Sequence, residues 1–258
     1  GPVFRLPSSG KDVMKQVSSR VVLAVLGLAS AFPVLAWDDE REAAMALTPN
    51  LENGRKVYEA CAVCHTPMGW GMQRGRYPQI AGQHPNVIIK QLTDIRAGNR
   101  DNPTMFPFAQ VAVLGGPQNI ADVAAYIAKL PMTPNNSTGS GRELERGQAL
   151  YEEHCVKCHG PYGEGKDNEF QPRIQGQHYE YLLRQFHHIK SGRRKNADET
   201  MVKQIKGFSE RDSVAVVDYT SRLRPPADIS APPGWRNPDF PPDFTHVPAD
   251  PPQGEPLR

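Results

Sequence analysis

The chain is poor in cysteine, with four in 258 residues. It also lacks an excess of charge of either sign. Lys and Arg number 30 against 28 Asp and Glu, a formal net charge of +2. Residues 1–36 carry Arg5, Lys11, Lys15 and Arg20 against Asp12, so the remainder is close to −1. A nucleic-acid partner would want a basic face, and none is provided for. No apolar run reaches the roughly 20 residues of a membrane-spanning helix. Alternation of apolar and polar residues over a strand's length is missing too, which turns the reading toward an all-helical fold.

What is there is concentrated. All four cysteines fall in two pentapeptides 94 residues apart, Cys61-Ala62-Val63-Cys64-His65 and Cys155-Val156-Lys157-Cys158-His159. Two cysteines with two residues between them lie on one turn, so both sulfurs can bond the two vinyl groups of one porphyrin. The adjacent histidine then reaches the iron from the same side. A lone CxxC also fits a redox dithiol, and two pairs fit a four-cysteine zinc site. The histidine after each second cysteine, and the placing of each motif in its own copied segment, favour two covalently bound haem c groups. Cys61, Cys64, Cys155 and Cys158 would attach them. No thiol then remains for a disulfide, a nucleophile or a third cofactor.

The copying is visible along the chain. Gly54-Arg55-Lys56-Val57-Tyr58 matches Gly147-Gln148-Ala149-Leu150-Tyr151, the second copy having one extra residue before its first cysteine. Pro78-Gln79-Ile80-Ala81-Gly82-Gln83-His84 matches Pro172-Arg173-Ile174-Gln175-Gly176-Gln177-His178. Gln91-Leu92 matches Gln185-Phe186, Gly98 matches Gly192, and Thr-Met recurs at Met105 and Met201. Each copy closes on an apolar helix with a tyrosine, Tyr126 or Tyr219.

Residues 51–62 and 143–156 are expected to be helices running into the haem motifs. Pro85 suits a first helical position and Gly98 the position just past a helix end. Val87, Ile88, Leu92 and Ile95 have helical spacing between them, as do Leu182, Leu183, Phe186 and Ile189 before Gly192. A third helix runs from about Asn119 to Leu130, stopped by Pro131. In the second copy Ser209-Glu210-Arg211-Asp212 reads as a capping box opening a helix to about Leu223. The expected organisation is an upstream and signal segment 1–36, a lead segment 37–50, a first domain 51–130, a linker 131–141, a second domain 142–224 and a tail 225–258. Basic Lys15 and Arg20, apolar Val21 to Leu28 and the small residues before Trp37 read as a cleaved export signal, with Met14 as a plausible start. Export would place the protein in the periplasm, with any membrane association made through a partner. Eleven prolines between Pro225 and Pro256 forbid helix in the tail. It either lies over its own domains or wraps a partner with Trp235, Phe240 and Phe244 as anchors.

Each iron needs a second axial ligand or an open position, and that choice separates carrier from enzyme. Methionine sulfur raises the reduction potential. Met105 and Met201 are the candidates because their places repeat. Met68 and Met72 have no counterparts and read as pocket packing. His84 and His178 repeat, so they are rival axial ligands, but their place beside a helix start favours capping or a surface role. His154, His187, His188 and His246 have no counterparts and read as exposed, with His154 next to Cys155 placed to border the haem edge.

The order CxxCH, Pro-x-Ile-x-Gly-Gln, Gln-Leu/Phe, Gly-x-Arg and Thr-Met resembles the dihaem class I cytochromes c of the cytochrome c4 family, over residues 51–224. The resemblance implies two tandem cytochrome c folds related by a pseudo-twofold axis. It implies iron ligation by His65 with Met105 and by His159 with Met201. It also implies that Pro78 and Pro172 position the histidines through their backbone, and that Gly54 with Tyr126 and Gly147 with Tyr219 mark helix crossings. The lead segment and the tail lie outside the family pattern and suit a subunit of a larger complex. The function expected is electron transfer between a respiratory or periplasmic dehydrogenase and a terminal oxidase or reductase. Redox proteins would be the partners, with no small-molecule substrate. The alternative is a dihaem enzyme, a peroxidase or sulfur-compound oxidase, with one open iron.

Overall fold

A computed structural model describes Gly1, residues 33–72 and residues 74–246, with side chains from Asp39 onward. The chain divides into two compact units, residues 1–36 and 37–258. The export-signal reading falls outside the described residues, except for the helical backbone of residues 33–36. The last prolines of the tail also fall outside them. Among the described residues no helix is long and apolar enough to cross a membrane.

The first repeat is built on α2 (Leu51–His65), α3 (Pro85–Ala97) and α6 (Pro117–Lys129), with two single-turn helices, α4 (Phe106–Ala109) and α5 (Val111–Leu114), between the last two. It is preceded by α1 (Pro33–Ala46), a helix the sequence reading did not assign. Ala44 of α1 is buried in the core, and Glu40 pairs with Arg96 of α3. Asn50 opens α2 by accepting the Asn53 N–H at 3.1 Å, which satisfies one of the free donors of the first turn. Pro85 opens α3, and Gly98 ends it in the left-handed conformation at φ 78°, as its sequence position predicts.

The crossing of α2 over α6 explains Gly54. A Cβ there would lie 2.2 Å from the Asp122 carbonyl oxygen. Backbones can approach so closely only where the side chain is missing. Tyr58 and Tyr126 stack beside the crossing with centroids 5.3 Å apart. The same crossing is made in the second repeat by α7 (Leu144–His154) and α11 (Glu210–Ser221), where a Cβ on Gly147 would lie 2.2 Å from the Ala215 carbonyl oxygen. Tyr151 and Tyr219 repeat the ring pair at 5.5 Å. Ser209 and Asp212 cap α11 reciprocally, as expected.

The extra residue of the second copy has a structural consequence. α2 runs unbroken through its CxxCH, whereas the second copy breaks at Cys155 (φ −112°) and restarts as the single turn α8 (Val156–His159). The break absorbs the inserted residue and leaves the motif in register with the crossing. Two further helices, α9 (Tyr179–Lys190) and α10 (Glu199–Ile205), complete this repeat. Among the described residues there are isolated bridges but no strand.

The tail as far as His246 lies over the first repeat. Ala231 N–H donates to the Met132 carbonyl at 2.8 Å, and Met132 N–H to the Ile229 carbonyl at 2.7 Å, so the tail pairs with the segment joining the repeats. Phe240 is buried against Tyr58, with ring centroids 5.9 Å apart. Trp235 packs on Trp70 at 5.8 Å. Asn237 donates to the Pro67 carbonyl at 2.7 Å. Of the two readings of the tail, these contacts support the one in which it covers its own chain.

The repeats meet through reciprocal contacts. The Gln177 side chain accepts from the Gln79 N–H at 3.0 Å and donates to the Gln79 carbonyl at 2.7 Å. The Gln83 side chain does the same to Arg173, at 2.9 Å and 2.9 Å. Gln83 and Gln177 hold one repeat position, and Gln79 and Arg173 another. Two such equivalent pairs are what a pseudo-twofold axis generates.

Candidate haem centres

Each CxxCH histidine is held by the same device. Tyr58 Oη donates to the Thr66 carbonyl at 2.9 Å, and Tyr151 Oη to the Gly160 carbonyl at 2.7 Å. These bonds anchor the residue just after each motif. The His65 Nδ1–H donates to the Pro78 carbonyl at 2.9 Å, and the His159 Nδ1–H to the Pro172 carbonyl at 3.1 Å. A carbonyl can only accept, so Nδ1 carries the proton and Nε2 keeps its lone pair for a metal. Burial lowers the proton affinity of both rings, against the opposing effect of the carbonyls. Neutral imidazole is the ligating form. The proline contacts are the ones the resemblance implied.

The first repeat opens an apolar cavity lined by Val57, Leu92, Phe108, Val113 and Leu114, with Cys61, Cys64, His65 and Met105 on its walls. Two thiols, an imidazole and a thioether thus face one apolar slot, a donor set that fits a flat iron porphyrin. Met105 stands at the start of α4, its N–H held by the Asn102 carbonyl at 3.1 Å. In the second repeat Cys155 and Met201 join one apolar cluster with Tyr151, Phe186, Ile205 and Phe208. Met201 lies in the first turn of α10, where Asp198 caps its N–H at 3.1 Å. The two methionines hold one repeat position in different local structures, Met105 just before α4 and Met201 in the first turn of α10.

The rival chemistries fare poorly. Burial pushes the Cys61 and Cys155 thiols up to about 12, whereas a dithiol oxidoreductase wants a thiolate of low proton affinity. Among the described residues no three His, Cys, Asp or Glu side chains converge on a place that could hold a metal ion.

The remaining histidines depart from their expected places, whereas the remaining methionines do not. His84 and His178 begin helices, but neither side chain caps one. Each reaches into the other repeat: His84 Nε2 donates to the Glu164 carbonyl and His178 Nε2 to the Trp70 carbonyl, both at 2.7 Å. His178 is 2% exposed, so a surface role is ruled out for it. The repeat of Gly-Gln-His was the signal, and a contact between copies was its missing meaning. His154, His187, His188 and His246 are half-buried rather than exposed. His154 packs on Phe208 at 5.2 Å. Met72 is buried and Met68 half-buried, in keeping with packing.

Comparison with known proteins agrees with this geometry. The sequence model of the family described as "Cytochrome c" matches residues 51–131 and again 144–222. Cytochrome c4 of Thiocapsa roseopersicina is 32% identical, the alignment covering 65% of this chain and 89% of that protein. The thiosulfate dehydrogenase electron acceptor of Stutzerimonas stutzeri (strain A1501) is 31% identical over 69% of this chain and 90% of that one. Among solved structures, reduced recombinant cytochrome c4 from Pseudomonas stutzeri superimposes with a TM-score of 0.59 at 26% identity, covering 69% of this chain and all of that one. With two CxxCH motifs in two matched domains, the chain carries two covalently bound haem c groups and transfers electrons. It belongs to the cytochrome c family, and within it to the dihaem cytochromes c4.

Proposed function

We propose that the chain is a closed two-centre relay. His65 and Met105 would bind one iron, and His159 and Met201 the other. The observation that carries this reading is the first cavity, where Met105 shares the walls with Cys61, Cys64 and His65. The packing of both Met201 and Cys155 against the second core supports the same arrangement there. Bound haem supplies a one-electron couple. The chain's residues fix the imidazole tautomer and would offer the iron a methionine sulfur in apolar surroundings. Were these four residues to hold the two irons, neither iron would keep a position for peroxide or a sulfur substrate.

The electron donor in this proposal is a periplasmic dehydrogenase, and the acceptor a terminal oxidase or reductase. A relative named as a thiosulfate dehydrogenase electron acceptor supports a sulfur-compound dehydrogenase as the donor. The site of action is the periplasm, after export directed by residues 1–36. The test is stopped-flow reduction of the ferric holoprotein by thiosulfate dehydrogenase with thiosulfate. Fast reduction of both haems is expected. Reduction no faster than that of an unrelated cytochrome c would remove this donor.

A further inference from the structure

The two proximal histidines and the two interdomain glutamines share peptide groups. The Pro78 carbonyl that accepts from His65 belongs to the same peptide unit as the Gln79 N–H. That N–H donates across the interface to Gln177 Oε1 at 3.0 Å. The Pro172 carbonyl that accepts from His159 shares its peptide unit with the Arg173 N–H, which donates to Gln83 Oε1 at 2.9 Å. Each haem motif is therefore tied, through one amide plane, to a glutamine of the other repeat.

An amide polarises as a unit. When its N–H donates to a good acceptor, its carbonyl becomes a stronger acceptor in turn. A stronger acceptor at Nδ1–H draws the imidazole toward imidazolate character and makes Nε2 a better donor to iron. Better donation favours the ferric state and lowers the reduction potential. The Gln79 peptide unit is the better placed of the two, since Gln83 and Arg173 are only half-buried. Gln79 is 3% exposed and Gln177 7% exposed, so water does not compete for the amide. Each glutamine is itself fixed, because Gln177 Nε2 donates to the Gln79 carbonyl and Gln83 Nε2 to the Arg173 carbonyl.

We infer that Gln177 and Gln83 are crossed positioning residues: Gln177 tunes the haem of the first repeat and Gln83 that of the second. The inference rests on His65 and His159 being the proximal ligands. It makes docking of the repeats and the two potentials parts of one network. A change in the interface at one glutamine would be felt at the iron of the opposite domain rather than at the nearer CxxCH in sequence. The arrangement is not fully symmetric. Gln79 uses its own side chain to accept the Thr133 N–H at 2.6 Å, while the matching Arg173 leaves its Nε buried without a partner. The Gln79 peptide unit is thus the more firmly held, and the first haem is expected to respond more sharply.

The test is spectroelectrochemistry of the holoprotein, with the two haems assigned by their methyl resonances in NMR. Gln177→Met keeps length and removes both bonds to Gln79. It is expected to raise the potential of the first-repeat haem and leave the second where it was. Gln83→Met should do the reverse. Gln177→Glu keeps an acceptor for the Gln79 N–H and is expected to hold the first potential at or below the native value, which guards against a variant that merely folds badly. His178→Asn breaks a different interdomain bond, to the Trp70 carbonyl, and should leave the first potential unchanged. A shift in the variant's own domain, an equal shift in both haems, no shift, or the same shift in His178→Asn would overturn the inference. The ligand assignment is read separately from strongly shifted His65 and His159 ring protons in the native protein. If those are absent, the ligand reading has failed. If they are present without a crossed shift, the glutamine inference alone has failed.

Discussion

His178 of the second repeat donates its Nε2–H to the carbonyl of Trp70 in the first, while its Nδ1 accepts the Ser137 N–H at 3.2 Å. Both ring nitrogens are used, and only the neutral ring can serve both bonds. His84 mirrors the contact on the Glu164 carbonyl. The interface between the haem domains is thus fastened by two imidazoles, of which His178 must stay uncharged to make both of its bonds.

Stability should consequently depend on pH in a definite direction. Burial lowers the proton affinity of both rings below the ordinary histidine value, against the Trp70 carbonyl and Glu180 at His178 and against the Glu164 carbonyl and Asp167 at His84, where Arg173 adds to the lowering. The unfolded chain therefore binds these protons first. Stability is whole above about pH 6.5 and falls as pH drops below it toward the folded values. The denaturant midpoint of the holoprotein should fall between pH 7.5 and 5.5, and fall less in the double variant His84→Gln/His178→Gln. Equal slopes would remove the two rings from the account.

The helix crossings give a packing prediction. Gly54→Ala and Gly147→Ala each drive a methyl into a carbonyl oxygen of the facing helix. Each should cost about 1–3 kcal/mol, the usual range for overpacking. Thermal unfolding of each single variant checks this, and an unchanged midpoint would mean the helices cross more loosely than described.

Much of this was readable beforehand because the repeat made each position testify twice. Gly54 and Gly147, Pro78 and Pro172, the Ser209 cap and the Gly98 stop are local or duplicated signals, and all recur in the structure. What escaped was non-local and unpaired. Nothing in the spacing of Trp235, Asn237 and Phe240 says that they fold back over Trp70, Pro67 and Tyr58. Residues about 170 positions apart meet only because the segment after the second repeat returns to the first. α1 has no copy in the second repeat to mark it; among its described side chains Ala44 reaches the core, Glu40 pairs with Arg96 and Arg41 lies over the Phe170 ring.

The tail should stabilise the repeat it covers, not the one it follows. Tyr126 Oη donates to Asp239 at 2.9 Å, and Phe240 is 8% exposed. Phe240→Ala is expected to cost about 3–5 kcal/mol. In a chain ending at Arg224, hydrogen exchange should quicken in α2 and α6 and stay unchanged in α7 and α11. Quickening confined to the second repeat would contradict this packing.

Thr66 follows the first haem histidine at φ 68° and ψ 157°, a region that glycine alone occupies without strain. The second repeat places Gly160 there, at φ 77° and ψ 166°. Thr66→Gly should therefore raise stability by about 1–2 kcal/mol. A loss of stability in a denaturant titration would show that the Thr66 hydroxyl, 3.4 Å from the Trp70 N–H, contributes more than the backbone strain costs.

The central claim is that each repeat closes its iron with a methionine. The ferric absorption band at the red end of the visible spectrum, arising from methionine sulfur on iron, measures it most directly. The account predicts an intensity equivalent to two haems. It predicts that Met105→Ala and Met201→Ala each remove half and that each makes one haem open to added ligand. High-spin haem in the resting native protein, or an unaltered band in either variant, would contradict it.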